Sequence, residues 1–227
     1  MSHAQAEHGT ATGEGSEVFA EEQSGAEARP LPEGQVARAV LLVVMMTSGV
    51  TAAHYTWTSY VSTYAITQKG MDAGVAYWCS VGAQCVALLT LPVRGRLSDR
   101  VGRRPMMITF AVLMSALQIP LTEVIGAEGW TLLVAASVAL VVVAIPGALL
   151  SAVMAEDFPT RVRTQAIGFA YPVSVAVFGG TAPYLNQLFV SIGAARLSSF
   201  SIMLLCVFTG VACHLMRETK GIHLKDV

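Results

Sequence analysis

The sequence predicts an all-α membrane protein, a bundle of six transmembrane helices. Three observations predict it. The 227-residue chain is 54% hydrophobic and only 13% charged, about half the charged share of a soluble domain, and its mean hydropathy is +0.58. Apolar runs recur along it, each long enough to cross the roughly 30 Å hydrocarbon core of a bilayer as a helix. The few charges fall between these runs, with arginine concentrated in alternate connections. Helices are required because lipid offers no partner for exposed backbone amides. A transmembrane β-barrel would show alternating segments of roughly ten residues instead, and the sequence has none.

Taken in order, residues 1–36 differ in kind from the rest. They hold seven glutamates, one arginine and many Gly, Ala and Ser. Such a segment cannot bury enough surface to offset its ordering entropy, so a disordered acidic tail is expected. It lacks a basic region followed by an apolar one and is not expected to be a signal peptide. Residues 37–217 form the expected bundle, with spans at about 39–66, 73–92, 106–123, 131–154, 166–190 and 197–216, and 218–227 form a short tail. Arg94, Arg96, Arg100, Arg103 and Arg104 crowd the connection 94–105. Arg161 and Arg163 follow the fourth span, Arg29 and Arg38 precede the first, and Arg217, Lys220 and Lys225 follow the last. The opposite connections keep only Lys69 and Arg196. Positive charge is retained inside, which places both termini and the arginine-rich connections in the cytoplasm of a multi-pass plasma (inner) membrane protein. Six spans return the chain to the side where it began.

Breakers interrupt two helices. Pro146 and Gly147 lie within the fourth span, and Pro172, Gly179, Gly180 and Pro183 punctuate the fifth. Proline removes a backbone donor and clashes with the preceding turn, so both helices are expected to bend. The first span is the most polar, reading His54-Tyr-Thr-Trp-Thr-Ser-Tyr-Val-Ser-Thr-Tyr64. At about 100° per residue, Trp57, Tyr60 and Tyr64 share one narrow face. Aromatic residues near a span end also serve as interfacial anchors, but the density of hydroxyls points this face at a cavity. His54 is the titratable side chain placed well inside a span. Such a group marks a candidate site, although a neutral histidine bonded to a neighbouring helix satisfies the same physics. Gln84, Tyr171 and Asn186 complete the candidate substrate-binding set, with the alternative that they only join helices.

Asp72, Glu123, Glu128, Glu156 and Asp157 all sit in or beside connections, so no carboxylate is expected at mid-membrane depth. The phosphate loop, the nucleophile elbow, the zinc-protease helix and the dinucleotide fingerprint are all missing from the sequence. Cys79, Cys85, Cys206 and Cys213 fall inside spans with no C-x-x-C pair, which reads as apolar packing. The chain is therefore not expected to be an enzyme, nor to use a metal, a cofactor or nucleic acid.

The stretch Gly95-Arg-Leu-Ser-Asp-Arg-Val-Gly-Arg-Arg-Pro105 reads as a loop turning the chain at the membrane surface, with Gly95 and Gly102 permitting the turn. It resembles the G-x-L-x-D-R-x-G-R-R signature of the major facilitator superfamily. Ala155-Glu-Asp-Phe-Pro-Thr-Arg-Val-Arg163 and Phe178-Gly-Gly-Thr-Ala-Pro-Tyr184 resemble signatures of its metabolite–proton symporters, and Glu218-Thr-Lys-Gly221 is similar to porter tails. Tyr55-Thr-Trp-Thr-Ser-Tyr60 with Tyr64 looks like the seventh helix of α-ketoglutarate permeases. The order of these motifs implies the carboxyl-terminal six-helix half of a twelve-helix carrier. It implies proton symport of a small organic acid and, as partner, a separate amino-terminal half or a second copy. It also implies a conformational latch of Gly95, Asp99, Arg100, Gly102, Arg103, Arg104, Arg161 and Arg163, in which Asp99 meets Arg103, Arg104 or a helix dipole. Arg94 and Arg96 depart from the signature. If the second span ends at Pro92 they lie in water; if the helix continues, Arg94 must snorkel. The rival expectation is a non-transporting membrane interaction protein that keeps the fold.

Overall fold

The computed structural model describes residues 33–147 and 166–215, and every regular element among them is helical. The chain divides into two compact units, Met1–Ala37 and Arg38–Val227. Of the first, only residues 33–37 are described. They are the opening turns of α1, Glu33–Tyr55, so helix begins inside the stretch expected to be disordered to residue 36. Adding a turn to an existing helix costs little compared with starting one. The rest of that tail, the tail 218–227, and Arg161 and Arg163 lie outside the described residues.

A five-residue π-helical segment, Thr56–Tyr60, joins α1 to α2, Val61–Lys69. Then follow α3, Ala73–Leu89, α4, Leu91–Val101, α5, Arg103–Val124, and α6, Gly129–Gly147. Asp72 caps α3, its Oδ1 accepting from the Val75 amide at 3.0 Å, which satisfies one orphan donor of the first turn. Beyond residue 165 come π-helical Ala166–Ala170, α7, Tyr171–Ser174, π-helical Val175–Gly179, α8, Gly180–Ser191, and α9, Ala195–Leu215.

Five helices among the described residues are long and apolar enough to span: Val40–Lys69, Ala73–Leu97, Arg104–Val124, Gly129–Gly147 and Ala195–Leu215. The fifth expected span, 166–190, is helical throughout but not one of these five. Its glycines, prolines, Thr181, Asn186 and Gln187 dilute its apolar character, and the α-helical ladder gives way to π turns twice. Such π turns are a recognised way for a helix to accommodate breakers.

The arginine-rich stretch corrects the sequence expectation. It is not a loop: α4 carries it to Val101, and Gly95 lies inside that helix without a positive φ. The chain turns at Gly102 alone, where φ is 103°, a conformation costly for any residue with a Cβ. Arg94 is neither in water nor snorkelling. It is only 7% exposed, and its guanidinium turns inward. Nε donates to Thr90 O at 3.2 Å and Nη1 to Val141 O of α6 at 3.3 Å, while Nη2 donates to Ala87 O.

Packing explains why the most polar span survives in lipid. Of the apolar window in Val40–Lys69, 61% is buried within the bundle, against 17% for Ala73–Leu97. The hydroxyl-rich helix therefore sits at the centre, and α3, resting on α6, lies at the edge. Close approach of α1 to α9 needs Gly49, where a Cβ would lie 2.5 Å from the Leu205 carbonyl oxygen. Thr209 Oγ1 bridges the two helices there, accepting from the Gly49 amide at 3.2 Å and bonding to Met45 O at 3.1 Å. α5 packs against both α6 and α9.

Candidate functional site

The π-helical segment is what builds the site. An i→i+5 turn inserts a residue and resets the rotational phase of a helix. It turns Thr56, Trp57 and Tyr60 into the bundle, where all three are buried. Trp57 is 1% exposed, and its indole Nε1 donates to Gln118 Oε1 of α5 at 2.9 Å. Asn186 Nδ2 of α8 donates to Thr56 Oγ1 at 2.8 Å, and Ser198 Oγ of α9 donates to Asn186 Oδ1 at 2.7 Å. The Tyr60 hydroxyl donates to Gln187 Oε1 at 3.3 Å. Four separate helices are thus tied together by side chains that satisfy one another, as groups hidden from water must be.

Beside this network lies a cavity of about 270 Å³, large enough for a small metabolite. Its inner walls carry Trp57, Tyr60, Tyr64, Gln118, Thr122, Ser198 and Ser199. The Tyr60 and Tyr64 rings lie 6.4 Å apart. Lys69, Glu123 and Arg196 line its mouth, at the end of α2, the end of α5 and the start of α9. The walls offer hydroxyl, amide and indole groups that can hydrogen-bond a solute, and aromatic faces that can pack against it. A pocket of this kind is the default binding-site candidate.

The sequence candidates divide. Trp57, Tyr60 and Tyr64 line the cavity together, and Asn186 stands immediately behind it, holding Thr56 and Ser198. His54, Gln84 and Tyr171 do not line it. His54 is exposed, its ring edge-on to Tyr55 at 5.8 Å. It precedes the π turn, so the phase change separates it from the Trp57 face. Gln84 is exposed on the peripheral helix α3, whose inner face is Ala76, Ser80 and Ala83. Tyr171 is half-buried.

Sequence reasoning missed Gln118, Glu123, Lys69 and Arg196. Gln118 had a signal: an amide inside an apolar run, two residues before Pro120. The others sit at helix ends, where charge is ordinary and nothing local marks convergence. Of the candidate latch, Gly102 makes the turn and Arg104 reaches α9, its Nε donating to Cys213 O at 3.1 Å and its Nη2 to His214 O. Arg100 is exposed and engaged in an interaction. The side chains of Asp99 and Arg103 lie outside the described residues.

Residues 8–227 match the sugar (and other) transporter family. Among curated proteins, the chain is 30% identical over 190 residues to the alpha-ketoglutarate permease of Escherichia coli (strain K12), covering 82% of this chain and 44% of that protein. It is 33% identical to the ectoine/proline transporter ProP of Corynebacterium glutamicum, covering 81% and 37%. It is 28% identical to the citrate-proton symporter of Klebsiella pneumoniae, covering 79% and 41%. The chain thus spans less than half the length of each of these relatives.

Proposed function

The chain belongs to the sugar (and other) transporter family of the major facilitator superfamily, and from that premise we propose that it carries a small organic acid such as α-ketoglutarate across the plasma membrane in symport with a proton. It is a multi-pass membrane protein whose activity in this reading is movement of a solute, not its chemical conversion. The observation that carries the reading is the cavity: neutral hydrogen-bonding and aromatic walls set into one end of a lipid-facing bundle, with a charged mouth. The acid is favoured by relatives named for alpha-ketoglutarate and citrate; other relatives are named for proline, betaine and ectoine.

A second bundle completes the carrier. His54, Ser59, Thr181 and Gln187 are exposed, and polar groups of this kind face protein or water, not lipid. A separate half or a second copy of this chain would cover them, and the two bundles would rock about a midplane site. In this arrangement Gly95, Asp99, Arg100, Gly102, Arg103, Arg104, Arg161 and Arg163 lie on the cytoplasmic side with both termini. There they latch one state closed through Asp99 and a helix dipole.

Reconstitution into proteoliposomes tests this. With an imposed proton gradient, the chain together with a second bundle takes up labelled α-ketoglutarate, and a protonophore abolishes the uptake. Asp99→Asn lowers the rate about tenfold, the population change expected when roughly 1.4 kcal/mol of latch energy is lost. Uptake by a proven monomer would refute the need for a second bundle. No uptake by any assembly would leave a membrane interaction protein that keeps the fold.

A further inference from the structure

We propose that Lys69 and Arg196 form a carboxylate-binding subsite at the mouth of the cavity, occupied by the carboxylate of Glu123 until a ligand displaces it. This rests on reading the cavity as the solute chamber, and adds what selects the solute at its entrance.

Lys69, Glu123 and Arg196 are the charged residues among those lining the cavity, and each lies at the end of a helix. They come from three helix ends far apart in sequence, so their convergence is a product of the fold. Arg196 Nη2 lies 3.3 Å from Glu123 Oε1, and the two side chains are 83% and 58% exposed. This ion pair is itself an observation about ligand chemistry: a carboxylate already rests on the guanidinium. It does so through one nitrogen, whereas a guanidinium can hold a carboxylate through two parallel bonds. An exposed pair is weakly held and open to exchange with solutes. Lys69 adds a second cation, with Nζ 5.9 Å over the ring of Tyr64, which lines the same cavity. Two cations against one acid leave the mouth with a net charge of +1. A monocarboxylate exchanges with Glu123 on Arg196; a dicarboxylate has a further group for Lys69. The inner walls, being neutral, contribute hydrogen bonds but not sign, so discrimination between anion and cation falls to the mouth.

The test reads the sign of the mouth directly. Ser199, on the cavity wall, is replaced by cysteine in full-length chain carrying Cys79→Ala and Cys85→Ala. Cys206 and Cys213, which are buried, are retained. Membranes are treated with anionic, cationic and neutral methanethiosulfonates, and each rate is referred to that of a free thiol. The anionic reagent should react about fivefold faster than the cationic one, the ratio expected for one net charge several ångströms away in a water-like medium. Arg196→Gln combined with Lys69→Gln should reverse that preference, and Glu123→Gln should increase it. An unchanged neutral-reagent rate shows that the cavity is intact in each variant. α-Ketoglutarate should slow labelling, and should lose that effect in Arg196→Gln. If the anion/cation ratio does not follow the mouth charges, the subsite is overturned, even if α-ketoglutarate still protects and the transport reading stands. If the ratio follows the charges but α-ketoglutarate does not protect, the subsite stands and the α-ketoglutarate reading falls.

Discussion

Around the cavity, buried polar side chains end on one another, whereas at the arginine-rich end the guanidinium of Arg94 ends on backbone carbonyls and that of Arg104 on two carbonyls and the His214 ring. Trp57 meets Gln118, and Thr56, Asn186 and Ser198 form a chain across three elements. Arg94 instead holds carbonyls of Ala87, Thr90 and Val141, and Arg104 those of Cys213 and His214. The network and Arg94 satisfy the rule that polar groups hidden from water must be paired; Arg104 is half-buried. The difference lies in what can move. A carbonyl is fixed by its helix, so an arginine bonded to it fixes the distance between helices. Two side chains can rotate apart and take a solute in exchange. In the carrier we propose, one end serves as a clamp and the other as an exchangeable lining.

Substitutions at each end can break or sharpen this contrast. The largest effect belongs to Arg94. A helical amide already partners one of these carbonyls, as Arg94 N does for Thr90 O, so the buried cation depends on the carbonyls more than they depend on it. Arg94→Lys, too short and too few-armed to reach all three, should cost roughly 2–4 kcal/mol by leaving a poorly satisfied buried charge. Arg94→Met should cost about 1 kcal/mol, because removing the charge also removes its desolvation penalty. Thermal unfolding in detergent ranks the two, and a lysine variant more stable than the methionine variant would overturn the account.

Next comes the side-chain network. Asn186→Leu removes partners from Thr56 and Ser198 at once and should cost about 1–2 kcal/mol, two interhelical hydrogen bonds at roughly 0.6 kcal/mol or somewhat more each. Adding Ser198→Ala should cost less than its single-variant value, since its partner is already gone; strict additivity would show that the two side chains do not act as a network. The smallest effect belongs to Arg104. Arg104→Gln keeps a donor but loses the charge at the carboxyl end of α9, worth about 0.3–1 kcal/mol. Faster amide exchange confined to the last turn of that helix is the expected signature; loosening across the bundle would contradict a local cap.

Much of the fold was legible because membrane helices announce themselves by length and apolarity. The position of Trp57, Tyr60 and Tyr64 on one face was legible too, since helical periodicity places them together. His54 was chosen as a titratable group inside a span, a local signal that does not say which face of the helix meets the cavity. Gly95 was taken for a turn because glycine clusters with charge there, yet of the two glycines in that stretch it is Gly102 that adopts a positive φ. The mouth of the cavity was illegible: Lys69, Glu123 and Arg196 each look like an ordinary polar residue ending an apolar run.

By itself the sequence determined that this chain lives in a bilayer, which family it joins, and which helix holds its polar face, because those properties are written in local composition and motif. Only the tertiary structure decided that Arg94 turns inward to clamp α4 onto α6, that Gln118 meets Trp57, and that three helix ends bring two cations and an acid to one opening. Such meetings depend on helix packing and rotational phase, which are set by contacts between residues far apart in the chain.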